Sequence, residues 1–139
     1  MEYKRFDNKI VVRIDSGEEI IDALECICVE EGVWTAQVSA IGAISNFTVS
    51  IFKTAQKQYK STEYTGNYEI ISLMGNVTTR AGKFHPHLHM SAVGKEGLMV
   101  GGHLNHAIVS TTVEMIIEVI DGKVERKRNV VIGLDVLKF

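Results

Sequence analysis

Two histidine-rich segments joined by a short turn restrict the folding of this chain more than any other part of its sequence. They span residues 84–90 and 100–104 and contain four of the five histidines: His85, His87, His89 and His103. Alternate residues of a β-strand share one face at a rise of ~3.3 Å per residue, so neighbouring histidines of the first segment would lie ~6.6 Å apart. A zinc ion lies only ~2.0–2.1 Å from each imidazole nitrogen, so at most two of these three can bind one ion. A third ligand has to come from another part of the chain.

The turn between the segments determines whether His103 reaches the first strand. A loop of residues 95–97 ends in Gly97, which can take the left-handed conformation that three-residue hairpin loops favour. This loop places His89 directly opposite His103. His87 is then the diagonal neighbour of His103, within ~7–8 Å.

The same register separates apolar from polar side chains. One face receives only apolar residues and glycine: Leu88, Met90, Ala92, Leu98, Val100, Gly102 and Leu104. The other face receives the histidines and small or polar residues: His87, His89, Ser91, Gly101, His103 and Asn105. A four-residue loop would shift the pairing by one residue and move His103 to the apolar face. We therefore expect the three-residue loop.

Three imidazoles without a thiolate or carboxylate are a ligand set for Zn²⁺ or a similar divalent ion, and they leave one coordination position open. Water bound there has its pKa lowered toward ~7, so hydroxide becomes available as a nucleophile. Such chemistry also needs a proton acceptor. Glu114 is our candidate catalytic residue, although the sequence does not distinguish it from these alternatives: Glu69, Asn105 and Ser91.

The alternative interpretation is a row of surface or hydrogen-bonded histidines without a metal. The matching register of His103 favours the metal interpretation for His87, His89 and His103. His85 lies too far along its strand to join them, and His106 falls on the apolar face of the predicted hairpin.

Most of the remaining sequence predicts β-strands. Residues 16–32 are the exception, because Ser16 and Glu19 have the spacing of a capping box and apolar residues then recur at helical intervals until Gly32. Residues 33–44 predict a strand with a bend near Gly42, and residues 53–66 a connection with room for a short strand around Tyr59. The other predicted strands are residues 9–14, 46–52, 67–77, 109–120 and 123–126, besides the two histidine strands. Residues 129–139 are an apolar tail, interrupted at Gly133, that completes either the core or a subunit interface. We expect an α+β fold, mainly an antiparallel sheet with one principal helix.

Length and charge limit the classes of function. A chain of 139 residues fits a single domain, residues 1–139, and a net charge of −2 gives no overall attraction to nucleic acid or anionic membranes. No apolar run approaches the ~18 residues of a membrane span, and the first residues do not resemble a signal peptide, so we expect a cytoplasmic protein. The basic cluster of residues 123–128 is either a solvated strand face or a nucleic-acid contact.

Several of these stretches together resemble the plants-and-prokaryotes-conserved (PPC) domain. They are residues 12–14 and 17–20, residues 66–76, the Gly-Lys-x-x-x-His-x-His pattern of 82–89, Gly-Gly-His-Leu at 101–104 and Thr-Val-Glu at 112–114. The resemblance covers nearly the whole chain. It implies an α+β fold around an antiparallel sheet, a homotrimer, and a metal bound by the matching residues His87, His89 and His103.

The resemblance also implies a candidate DNA-binding or regulatory role, because plant relatives join this domain to an AT-hook. This sequence contains neither an Arg-Gly-Arg-Pro core nor a basic tail. Our leading expectation is a metal-binding PPC-domain protein of the DNA-binding, regulatory type. The alternative is a metal-dependent hydrolase or lyase that acts on a small molecule through metal-bound water.

Overall fold

The computed structural model describes residues 1–139 as eight strands and one helix. In chain order they are β1 (Glu2–Phe6), β2 (Lys9–Asp15), α1 (Ile20–Glu30), β3 (Ala36–Lys53), β4 (Gln58–Arg80), β5 (Lys83–Gly94), β6 (Met99–Val119), β7 (Glu125–Asn129) and β8 (Leu134–Lys138). All strand pairs are antiparallel except a single parallel bridge between β4 and β7. The predicted α+β class, a mainly antiparallel sheet with one helix, is confirmed. Nothing helical in the chain has the length and apolarity to cross a bilayer.

Four long strands pair in a closed ring. β3 pairs with β4 and β6, and β5 pairs with the same two strands. This is possible because β4 and β6 are 23 and 21 residues long, so each can pair with two neighbours along different stretches. The β1–β2 hairpin extends the sheet from β6, and the β7–β8 hairpin adjoins β4. The inward-facing residues of the ring and of α1 form one apolar core.

The helix packs its apolar stripe against this core, as the periodicity predicts. Its buried residues are Ile20, Ala23, Leu24, Ile27 and Cys28. The predicted capping box is wrong in detail, because Glu19 itself is the N-cap and its Oε2 accepts a hydrogen bond from Asp22 N at 2.8 Å. Its other oxygen accepts from Ala107 N at 2.8 Å. Glu19 therefore joins the start of the helix to β6, a tertiary contact that local spacing does not reveal.

Two strands are longer than the sequence predicts. Residues 33–44 and 46–52 are mostly one strand, β3, which continues through irregular pairing at Gly42 and again before Asn46. A Cβ at Gly42 would lie 2.4 Å from Thr112 O, so the close approach of β6 requires glycine there. β4 begins at Gln58, inside the predicted connection. Residues 58–63 are exposed on both faces, so no apolar alternation marks them as a strand.

The β5–β6 hairpin has the predicted register. His89 pairs with His103, and Gly97 N donates to Gly94 O at 3.0 Å across a three-residue loop. Gly97 is left-handed, with φ of 71°. Four side chains of the predicted apolar face are buried: Leu88, Met90, Ala92 and Leu104. Leu98 departs from the prediction, because it is exposed beside the turn.

His106 does not lie on the apolar face as expected. The pairing of β6 with β3 shifts between Leu104 and His106, so one extra residue enters β6 there. A bulge of this kind reverses the side-chain alternation beyond it. Leu104 and Ala107 are both buried as a result, and the side chain of His106 is partly exposed.

Candidate metal centre

Three imidazoles converge on the outer face of the β5–β6 hairpin. His87, His89 and His103 each offer a ring nitrogen, and these nitrogens all lie within 4.8 Å of one another. Their ring centroids are 5.1, 5.3 and 5.7 Å apart. One tetrahedral ion bonded to three imidazoles needs nitrogens about 3.3 Å apart, so small side-chain rotations would suffice.

Strand geometry brings the three histidines together. His87 and His89 alternate with the buried Leu88 on β5, so they share its outer face, and His103 lies directly across from His89 on β6. On the other side of β5, the backbone of β4 approaches very closely. A Cβ at Gly75 would lie 2.0 Å from His87 O, so only glycine permits this spacing.

The environment of His103 fits a metal ligand. Its Nδ1 is buried and has no hydrogen-bond partner, which is costly for a polar atom unless another group satisfies it. Its ring lies 5.0 Å from that of Tyr59, centroid to centroid. Burial, followed by the charges of His87 and His89, lowers the pKa of His103 to about 4. The imidazole is therefore neutral near pH 7, which is the form that binds metals.

A buried arginine lies beside His87. The side chain of Arg126 is 8% exposed. Its Nε donates to Thr78 Oγ1 and its Nη2 to Asn76 Oδ1, both at 2.8 Å. Asn76 is the β4 residue directly opposite His87. Burial and then the charge of Arg126 lower the pKa of His87, which also favours a neutral imidazole.

The other candidates from the sequence lie outside the three-histidine cluster. His85 pairs with Thr78 near the start of β5. His106 Nδ1 lies 3.7 Å from Glu19 Oε1. Glu114 pairs with Arg13 and Ile41, eleven residues beyond His103 on β6, or about 36 Å along an extended strand.

The three alternative proton acceptors differ in how near they lie. Asn105 is close to the cluster, since its Oδ1 accepts a hydrogen bond from Ser50, the β3 residue paired with His103. Ser91 pairs with Gly101, which lies two residues before His103 on β6. Glu69 is exposed opposite Val93, further toward the turn.

A groove of about 570 Å³ adjoins the cluster. His87 and His89 line one part of it, together with these polar residues: Thr35, Gln37, Asn76 and Thr78. Its apolar wall includes Ile120, Val124 and Leu137, and no acidic residue lines it. The sequence did not predict the contributions of Asn76, Tyr59 or Arg126, because their contacts depend on how β4 and β7 pair with their neighbours, which the spacing of these residues does not reveal.

Comparisons with known proteins identify the family and agree with the overall fold. The family model for the Plants and Prokaryotes Conserved (PCC) domain, the family abbreviated PPC above, matches residues 1–121. A candidate DNA-binding protein from Bacteroides thetaiotaomicron has a similar structure, with a TM-score of 0.96 and 30% identity over 99% of this chain and 96% of the other. A PPC protein from Pyrococcus horikoshii is 32% identical over 99% of this chain and 94% of its own, with a TM-score of 0.87.

A protein from Archaeoglobus fulgidus that is described as metal-containing is also similar. It is 29% identical over 99% of this chain and 97% of its own, with a TM-score of 0.90. Among curated proteins, no significant match is found.

The lowered pKa of His103 predicts how the stability of the metal-free protein depends on pH. Between the ~6.5 of an exposed imidazole and the folded value of about 4, the unfolded chain binds a proton that the folded chain excludes. The contribution of neutral His103 to the free energy of unfolding is therefore fully present above pH ~6.5, and it is lost as the pH decreases through this window. Because His103 is only partly buried, we expect a loss of about 1–2 kcal/mol between pH ~7 and ~5.

Urea denaturation of the metal-free protein at several pH values measures this loss. His103→Gln should flatten the dependence, and His106→Gln, at a partly exposed histidine outside the cluster, should leave it unchanged. An equally steep dependence in His103→Gln would contradict the assignment.

Proposed function

The chain belongs to the Plants and Prokaryotes Conserved domain family, and on this basis we propose that it binds one divalent metal ion, zinc or an ion of similar ligand preference, through His87, His89 and His103. The observation that carries the proposal is the buried Nδ1 of His103, which has no partner within the chain and belongs to a ring directed toward two other imidazoles. The metal-containing relative from Archaeoglobus fulgidus supports it.

The donor set suits an exchangeable coordination position. Three neutral imidazoles leave the full charge of a divalent ion uncompensated and supply only three of the four ligands that zinc commonly takes. A bound ion would supply a Lewis acid there. The chain holds the ligands in place, through the β5–β6 pairing and the Tyr59 ring that packs against His103.

Elemental analysis of the purified protein tests this proposal. We expect close to one metal equivalent per chain in the wild type. His87→Ala and His103→Ala should each retain little metal while circular dichroism still reports a folded β protein, because the histidines lie outside the apolar core.

His106→Ala is the matched control, because this histidine is also on β6 but is not part of the cluster. It should retain the wild-type amount of metal. The proposal fails if the wild type contains no metal after growth and dialysis in zinc, or if His103→Ala retains as much as the wild type.

DNA association is a second candidate function, and a basic surface favours it. Basic residues from three strands line one depression at the end of the sheet: Arg80, Arg126, Lys127, Arg128 and Lys138. Arg80 and Arg128 keep about half of their side-chain surface exposed, although both lie near the Asp135 carboxylate. The candidate DNA-binding relative from Bacteroides thetaiotaomicron supports this function.

Duplex binding at different salt concentrations tests the DNA proposal. Each basic side chain that neutralises a phosphate adds roughly one unit to the slope of log affinity against log salt. We expect Lys127→Glu combined with Arg128→Glu to reduce that slope by about two units. Lys53→Glu with Lys60→Glu, an equal charge change on the β3–β4 hairpin, should leave it unchanged. Absence of binding at low salt in the wild type would remove this candidate.

We also propose that the chain assembles as a homotrimer through an apolar surface on the outside of the sheet. The surface consists of exposed apolar side chains from β2, β3, β4 and β6: Val11, Ile41, Ile71, Met74 and Ile116. They line a depression of about 770 Å³. Contiguous apolar surface of this kind is unusual on a monomer and often marks a protein–protein contact, and most soluble oligomers are closed symmetric assemblies of identical chains. The number of three chains follows from the resemblance to the PPC domain.

Light scattering coupled to size exclusion tests the assembly. We expect a mass of three chains for the wild type and a smaller mass for Ile41→Asp, because a buried unpaired carboxylate opposes association. Ile51→Asp introduces the same change on β3 outside the apolar surface and should remain trimeric. A monomeric wild type at micromolar concentration would contradict the proposal.

A further inference from the structure

The carboxamide of Asn76 has a fixed orientation beside the candidate metal centre. Arg126 carries only donors, so the atom that accepts from its Nη2 at 2.8 Å has to be the Asn76 oxygen. The Asn76 Nδ2 then points away from the guanidinium, and the one side-chain hydrogen bond of Asn76 is the one that its oxygen accepts from Arg126. Two N–H donors are therefore available to a ligand.

The position of Asn76 brings these donors close to the metal ligands. Asn76 and His87 are directly paired residues of β4 and β5, and such residues have Cβ atoms about 4.5–5.5 Å apart. Asn76, His87 and His89 all line the groove of about 570 Å³, a size that small-molecule sites commonly have. The groove continues along the apolar side chains of Ile120, Val124 and Leu137.

The charges around the groove favour a negatively charged ligand. No acidic side chain lines it, and the imidazoles add no negative charge; the one carboxylate at the groove belongs to the backbone of the last residue, Phe139, whose ring is fully exposed. The nearby Asp135 carboxylate lies 2.9 Å from Arg80 and 3.9 Å from Arg128, so two cations offset its charge, although its Oδ1 has no hydrogen-bond partner. A divalent ion at the histidines and the charge of Arg126 would both attract an anion.

We propose that the groove binds a small carboxylate with an apolar tail. Asn76 Nδ2 donates a hydrogen bond to one carboxylate oxygen, and the carbon chain lies against Ile120, Val124 and Leu137. A metal held by the histidines would supply the positive charge that attracts the carboxylate. This inference rests on the metal centre proposed above, and it adds the class of ligand that the centre accepts.

Asn76→Asp tests the inference without removing the contact to Arg126, because the new carboxylate still accepts from the guanidinium. The exchange replaces the free donors with a negatively charged oxygen that repels the ligand. Isothermal titration of the zinc-loaded protein with hexanoate should give a Kd that is weaker by roughly tenfold or more. Asn67→Asp, the same charge change at an exposed position of β4, should bind hexanoate as the wild type does.

A second variant tests the groove at a distance from the metal. Ile120 is half-exposed and lines the apolar wall, so Ile120→Asp adds a negative charge without disturbing the core. We expect it to weaken hexanoate binding, whereas Ile51→Asp should not. Acetate, which lacks the tail, should bind the wild type roughly tenfold more weakly than hexanoate or worse.

Metal content measured on the same samples separates the two proposals. If every sample holds one zinc but Asn76→Asp or Ile120→Asp binds hexanoate as tightly as the wild type, the ligand assignment is wrong and the metal centre stands. The same conclusion follows if acetate and hexanoate bind equally. If the wild type takes up no zinc, the proposed function fails, and the ligand assignment fails with it.

Discussion

The arrangement of the candidate site depends on the burial of three alternate residues of β5. Leu88, Met90 and Ala92 lie in the core, so the period of two that every strand obeys turns His87 and His89 outward. A shift of one residue would bury the histidines and expose the apolar side chains. The free energy of apolar burial thus specifies the hairpin register, and the register brings His103 to the other two imidazoles.

Sequence reasoning succeeded where the interactions are local. The β5–β6 register followed from one turn and one pattern of apolar residues, and the helix followed from its periodicity. It missed two features that depend on distant strands, the Glu19 contact to β6 and the bulge before His106. For the first part of β4, which has no buried face, it allowed only a short strand around Tyr59 within a connection. It also interpreted Arg126 only as part of a basic cluster, because nothing in the neighbouring residues indicates that this side chain is buried against β4.

The groove combines two parts of the chain that differ in their relation to the family. The histidines and Asn76 lie within residues 1–121, the part that the family model matches. Val124 and Leu137 lie beyond it, on the loop before β7 and on β8. Part of the apolar wall of the groove is therefore built by residues outside the family model. Variation at these two positions would alter the groove without altering His87, His89 or His103.

The closed ring of β3, β4, β5 and β6 also affects how the chain folds. The β5–β6 hairpin joins residues that are close in sequence and contains all three histidines of the cluster, so they can approach early and at little entropic cost. Ring closure requires β3 to pair with β6, and the paired residues Ala36 and Val119 are 83 residues apart in the sequence. Pairing over such separations is slow because a long loop has to close first. The three histidines would thus meet before the closed ring is complete. An ion bound by the hairpin would then stabilise a folding intermediate as well as the folded protein.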